Sequence, residues 1–212
     1  MSIAQMIIMS APLRDNKEDS ASDDTAEHAL VQRIARGDRR AFEELFAQQG
    51  ERVFRYAFRL INDSSKAEEV TNDVMLEVWK SAGKFEGRSK VSTWLLGITR
   101  NLAFNAVRRK QLDTIDVDEA PEMAAPAQDS GARAHDGAKL KHGLRVALAQ
   151  LSPEHRDVVE LTFFHGCSYQ EIAEIVQCPV NTVKTRMFHA KKQLQGLLLE
   201  AGLDTASVEM AS

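Results

Sequence analysis

The chain has 212 residues, 43% of them hydrophobic, and a formal net charge of −4 from 27 basic and 31 acidic residues. That content supports one or two packed cores and excludes a membrane-like chain. Two cysteines, Cys167 and Cys178, with one histidine beside them give neither a disulfide framework nor a zinc spacing, so no metal and no cofactor are expected.

The one apolar run near the start, residues 3–9, has no basic residues before it and no small-residue cleavage site. It is a poor signal peptide, and the chain reads as soluble and cytoplasmic with reduced thiols. Met6 and Met9 are alternative initiators. Residues 1–24 are expected to form a disordered lead, because 15–24 is charged and Ser-rich.

Ala29, Leu30, Arg33 and Ile34 suggest a short helix over 27–36, stopped by Gly37, after which Asp38 caps the next. Phe42, Leu45, Phe46, Val53, Phe54, Ala57, Phe58 and Ile61 recur every three to four residues, which predicts a long amphipathic helix over 40–62 with an aromatic core stripe. A capping box from Ser65 to Glu68 predicts the start of a third helix, with Ala67, Val70, Val74 and Val78 inward. Its outer edge carries Glu69, Asp73 and Glu77, four residues apart, a self-repelling acidic stripe suited to solvent or to a basic partner.

After a loop over 81–90 comes a helix over about 91–110. Val91, Trp94, Leu95, Ile98, Leu102 and Ala106 fall on one side, and Lys90, Thr93, Gly97, Arg100, Asn101, Phe104 and Arg108 on the other. Cations and polar groups around one aromatic ring are the means of gripping and stacking single-stranded nucleic acid.

Charge then changes sign. Residues 41–112 carry 12 basic and 9 acidic groups, residues 139–200 carry 8 and 6, and the intervening 113–138 carry 7 acidic groups against Arg133 alone. The acidic strip, rich in Ala, Pro, Asp and Gly, reads as a flexible linker between two mildly basic domains.

Beyond it, 140–151 and 153–165 read as helices, the second capped by Ser152 with Pro153 at its first position and stopped by Gly166. Ser168 and Glu171 form a capping box for a helix with an apolar stripe of Ile172, Ala173 and Val176, broken by Gln177-Cys178. Pro179 is expected at the first position of a last helix. There Val183, Met187, Ala190, Leu194 and Leu198 should pack on the preceding helix, which frees Asn181, Lys184, Thr185, Phe188 and Lys192 for reading a major groove. With no strand signal of useful length, the fold class is all-α: two small helical domains joined by an acidic linker, the second containing a helix-turn-helix.

The order of parts resembles an extracytoplasmic-function sigma factor of the sigma-70 family, the promoter-recognition subunit of bacterial RNA polymerase. The resemblance covers about 27–200 and is most specific in SKVSTWLLGITRNLAFNAVRRK (89–110) and GCSYQEIAEIVQCPVNTVKTRMFHAKKQL (166–194). It implies a region 2 over 25–112, a linker over 113–138 lying in the polymerase's RNA exit path, a region 4 over 139–200, and a tail over 201–212. By resemblance, region 2 binds and opens the minus-10 element through Arg88, Lys90, Thr93, Arg100, Asn101, Phe104, Asn105 and Arg108. The loop over 83–90 holds a flipped base beside the motif asparagine Asn101. Asn105 stands where relatives commonly carry an acidic residue, and the acidic helix is sparser in carboxylates than many.

Region 4 would read the minus-35 duplex through Asn181, Thr182, Lys184, Thr185, Arg186, Phe188, His189 and Lys192. Glu69, Asp73 and Glu77 would dock on the clamp helices of the largest polymerase subunit. The partners implied are core RNA polymerase through its largest and second-largest subunits, promoter DNA and an anti-sigma factor, with no membrane contact, in an extracytoplasmic or stress response. No phosphate-cradling loop, metal cluster or nucleophile-base pair is present, so no enzyme is expected. Two other classes use fewer of these faces: a stand-alone helix-turn-helix regulator binding duplex DNA, and an adaptor binding only proteins.

Overall fold

The computed structural model describes residues 20–113 and 143–201, and every regular element among them is helical. The helices are α1 (Ser20–Ile34), α2 (Arg39–Ile61), α3 (Ser64–Ser81), α4 (Val91–Asp113), α5 (143–149), α6 (Pro153–Phe163), α7 (Tyr169–Val176) and α8 (Val180–Glu200), with a 3-10 turn at Ala82–Lys84. They belong to two compact units. The larger takes Arg14–Val117 together with Cys167–Cys178, and the smaller takes the chain on either side of that second segment.

In the larger unit, local chemistry sets the helix ends. Gly37 adopts φ +85°, and the Asp38 carboxylate accepts the amides of Arg40 and Ala41 at the start of α2. Those amides, Ala41 first, and the Arg33 guanidinium 2.8 Å away hold Asp38 below the usual carboxylate range. Asn62 closes α2 in the left-handed region. The capping box expected from Ser65 to Glu68 does not form. Asp63 caps α3 by accepting the Lys66 amide, because a carboxylate two residues earlier satisfies a free donor and also complements the positive helix end.

The core of this unit gathers Leu30, Val31 and Ile34 of α1, Leu45 and Val53 of α2, Val70, Val74 and Val78 of α3, and Val91, Leu95 and Ala103 of α4. Each Leu, Ile or Val among them contributes roughly 1.5–3 kcal/mol on burial. The aromatic stripe of α2 is only partly core. Phe42 and Phe54 pack against the cluster, whereas Phe46 and Phe58 are exposed, their places inside taken by Gln49, Gly50 and Tyr56.

In the smaller unit, Ser152 caps α6 and Gly166 turns the chain after it at φ +67°. The apolar stripe of α8 packs chiefly on α6, which supplies Val158, Val159 and Leu161, and not on the helix immediately before it as the sequence pattern suggested. An eight-residue helix is only about 12 Å long, too short to cover a stripe that runs from Val183 to Leu198. Pro179 is the cap residue of α8 and not its first helical residue. Helix α7 keeps its full capping box and packs instead on α4, inside the larger unit.

Helix α1 begins at Ser20, within the lead expected to be unstructured, and α4 runs on to Asp113. The remainder of the lead, most of the acidic linker and the tail after 201 lie outside the described residues.

Candidate nucleic-acid interface

On α8 two faces separate between Asn181 and Leu198. Val183, Met187, Ala190, Leu194 and Leu198 are buried, while Asn181, Lys184, Thr185, Phe188, His189 and Lys192 are exposed. Phe188 is 53% exposed, a large ring with no packing duty. It stands edge-on to His189, 5.5 Å between centroids, and His189 in turn stacks on His155 of α6 at 6.2 Å. The Thr185 hydroxyl donates to the Asn181 carbonyl at 2.9 Å, which leaves its lone pairs for an incoming donor. Thr182 and Arg186 are half-buried. Arg186 lies near Glu154, whose carboxyl is held below its usual value first by its own backbone amide, with the Ser152 hydroxyl and Arg186 adding to the effect.

The α4 face is less uniform. Asn101, Asn105 and Arg108 are exposed, Phe104 is half-buried, and the Arg100 guanidinium lies over its ring, 4.6 Å from the centroid. One side of the ring is thus already covered by a cation, itself a planar group on which a base can stack. Arg88 is exposed and ion-paired with Glu86. Lys90 is engaged by Glu171 at 2.9 Å. Thr93 does not lie on an open face: it is only 4% exposed, because α4 is covered on two sides, by the α1–α3 core and by α7.

The loop before α4 is anchored by residues that the sequence pattern did not single out for this role. Phe85 stacks on Trp94 with centroids 4.7 Å apart and meets the His28 ring at 5.2 Å. Gly87 adopts φ +69° with its Cα against that same histidine, where a Cβ would come within 3.3 Å of the ring. The signal available was an apolar Phe85 inside an otherwise polar loop.

On α3, Glu69, Asp73 and Glu77 are all exposed, in line along the helix. Leu76, 50% exposed, and Trp79, edge-on to Phe42 at 5.5 Å, stand on the same outward side. Both were visible as apolar residues off the Ala67/Val70/Val74/Val78 stripe.

Two family models match the chain: Sigma-70 region 2 over residues 45–112 and Sigma-70, region 4 over 142–194. The RNA polymerase sigma-H factor of Pseudomonas aeruginosa is 32% identical over 184 residues, which is 81% of this chain and 95% of that protein. This chain belongs to the sigma-70 family. Another relative, the ECF RNA polymerase sigma factor SigE of Mycolicibacterium smegmatis, is 34% identical over 184 residues, covering 81% of this chain and 68% of that one.

Solved structures give the same answer for the fold. CnrH, solved with the cytosolic domain of CnrY, matches 82% of this chain and 98% of its own with a TM-score of 0.62 at 22% identity. The sigma factor RpoE of Bartonella quintana, solved with the anti-sigma factor NepR, matches 74% of this chain and 96% of its own at 0.60 and 27%. As a sigma factor, the chain serves transcription initiation by RNA polymerase at promoters. The region 4 match spans both compact units, since α7 lies inside 142–194 yet packs with the larger one. Among the described residues no helix is long and apolar enough to cross a membrane.

Proposed function

We propose that this sigma factor divides promoter recognition between two faces: α8 reads the minus-35 element as duplex, and the exposed part of α4 with the 81–90 loop takes the minus-10 element as unpaired DNA. The observation that carries the reading is the separation on α8, where an amide, a hydroxyl, two lysines and two aromatic rings face solvent while every apolar partner of α6 faces inward. Amides, hydroxyls and cations on a helix are what discriminate base edges in a major groove. The residues assigned to the duplex are Asn181, Thr182, Lys184, Thr185, Arg186, Phe188, His189 and Lys192.

Residues 25–112 then act as region 2 and 139–200 as region 4, with Glu69, Asp73 and Glu77 docking on core polymerase in the cytoplasm. An anti-sigma factor is the expected antagonist, as RpoE of Bartonella quintana has in NepR, and the response served is extracytoplasmic or stress-related. The chain contributes recognition and no chemistry of its own.

Lys184→Ala and Phe188→Ala are each expected to weaken minus-35 recognition by roughly 1–3 kcal/mol. Affinity for core polymerase should not change, because neither side chain touches the α6 packing side. Binding of each variant to labelled minus-35 duplex and to core polymerase, measured in parallel, checks this. Equal loss of polymerase binding would mean the helix faces are misassigned.

A further inference from the structure

Helix α7 belongs by sequence to the part matched as region 4, yet it is seated on α4, and what it covers there is the beginning of the face assigned above to unpaired DNA. The Glu171 carboxylate holds the Lys90 ammonium at 2.9 Å. Thr93 is 4% exposed, and Leu96, which is not part of the α1–α4 core cluster, is 0% exposed. Ile172, Ile175 and Val176 of α7 are buried as well. At the head of α7, Cys167 is only 7% exposed and interacts with Arg52 of α2, so the seat extends past α4 to a second helix of the larger unit.

We propose that α7 is an intrachain cover: in the free chain it closes the Lys90 end of the α4 face, and single-stranded DNA displaces it. The proposal rests on the reading of α4 as the face for unpaired DNA. Glu171 supplies the reason for competition, since its carboxylate occupies on Lys90 the place a backbone phosphate would need, and a strand bringing several phosphates outbids one carboxylate. The cover leaves Asn101, Asn105 and Arg108 exposed, so a strand can engage the far end of α4 before α7 moves. Glu171 has two tasks at once. It donates nothing and accepts from the Ser168 amide at 2.7 Å as half of the capping box, and from Lys90 with its other oxygen.

The charge state of the pair is steady across ordinary pH. Burial pushes the Glu171 carboxyl up, but the hydrogen bonds from Lys90 and Ser168 outweigh it and hold the group below its usual value. The same bond to Glu171 raises Lys90, against the smaller effect of burial. A lowered acid and a raised base both remain charged between their two pKa values, so salt and phosphate, and not mild acid or alkali, release the pair.

Cys167 reports the state of the cover. Burial pushes its thiol up to about 11, against the pull of Arg52, so alkylation is slow while α7 is seated and fast when it lifts. The experiment uses the full chain carrying Cys178→Ser, which leaves Cys167 as the one thiol, and follows its alkylation by iodoacetamide. The rate in the folded chain is expected to lie far below that in urea. Glu171→Gln, which keeps a capping-box residue at that position, and Lys90→Gln, which does not touch the cap, should each raise the rate by about two- to fivefold, the weight of a half-exposed ion pair.

A 20-mer of oligo(dT) should raise it too, and the same 20-mer annealed to oligo(dA) should not. Alkylation in the folded chain as fast as in urea, or no acceleration in either variant, would overturn the cover. Acceleration in the variants without any response to oligo(dT) would overturn its displacement by single strands. Failure of the promoter-recognition reading is seen separately, as run-off transcription with core polymerase that gives no chain-dependent starts, while the two ion-pair variants still accelerate alkylation.

Discussion

Reversing Glu69 and Asp73 of α3 to lysine together is expected to abolish capture of core RNA polymerase while the domain still melts cooperatively within a few degrees of the parent. Both carboxylates are exposed, and they stand four apart in line with Glu77. The parent stripe repels itself at that spacing, so introducing lysines beside Glu77 relieves some repulsion within the helix. At a matched surface the consequence is the opposite. Each reversal turns an attraction into a repulsion against a basic partner, and close interfacial charge pairs carry about 1.5–7 kcal/mol of coupling. Two reversals therefore weaken binding by about a thousandfold or more. The exposed Leu76 and the partly exposed Trp79 beside the stripe add an apolar contact that charge reversal leaves in place, which makes the loss specifically electrostatic. Pull-down of core polymerase in low salt, where such attraction is strongest, is the measurement. Unchanged capture would leave the stripe as solvated surface.

The second large effect concerns promoter opening. The double variant Phe104→Ala/Asn101→Ala is expected to form closed complexes normally and to accumulate little open complex. Trp94, Leu95, Ile98 and Leu102 hold α4 to its unit, and neither substituted residue belongs to that set. Phe104 carries the half-buried Arg100 guanidinium on its ring at 4.6 Å and lies outside the core cluster, so its loss opens no cavity there. Stacking of a base on an aromatic ring is worth about 1–3 kcal/mol, and extruding a base costs a few kcal/mol. Contacts of that size are enough to tip the opening equilibrium. Permanganate reactivity of thymines in the minus-10 segment should fall on intact duplex, and a template with a pre-melted bubble should restore much of the transcription. Normal reactivity on intact duplex would remove this face from the opening step.

The two faces of α8 were legible, though not its cap or its packing partner, because one helix with a regular stripe from Val183 to Leu198 needs only the 3.6-residue period to sort its faces. The caps at Asp38, Ser152 and Ser168 were legible for a similar reason: each is a local bond between a side chain and an amide two or three residues on. Legibility failed where tertiary packing overrides the period. Thr93 sits on the polar side of α4 by its wheel position, yet a second helix lies over that side, and no local pattern announces a neighbour some 75 residues away. Phe46 and Phe58 fit the α2 stripe but stay at its edges, since Gln49, Gly50 and Tyr56 fill the centre. Ser65 gave way to Asp63 because two overlapping caps compete and only one helix start is compatible with both spacing and charge. Lys90 is exposed, as its wheel position predicts, but its pairing with Glu171 depends wholly on where α7 comes to rest.

The most direct test of the central claim is run-off transcription with core RNA polymerase, with and without the purified chain, followed by mapping of the transcript starts. The account predicts discrete transcripts only when both are present, from start sites preceded by a shared pair of elements at minus-35 and minus-10. Transcripts no different from core polymerase alone, with the chain shifting a palindromic duplex by itself, would contradict it.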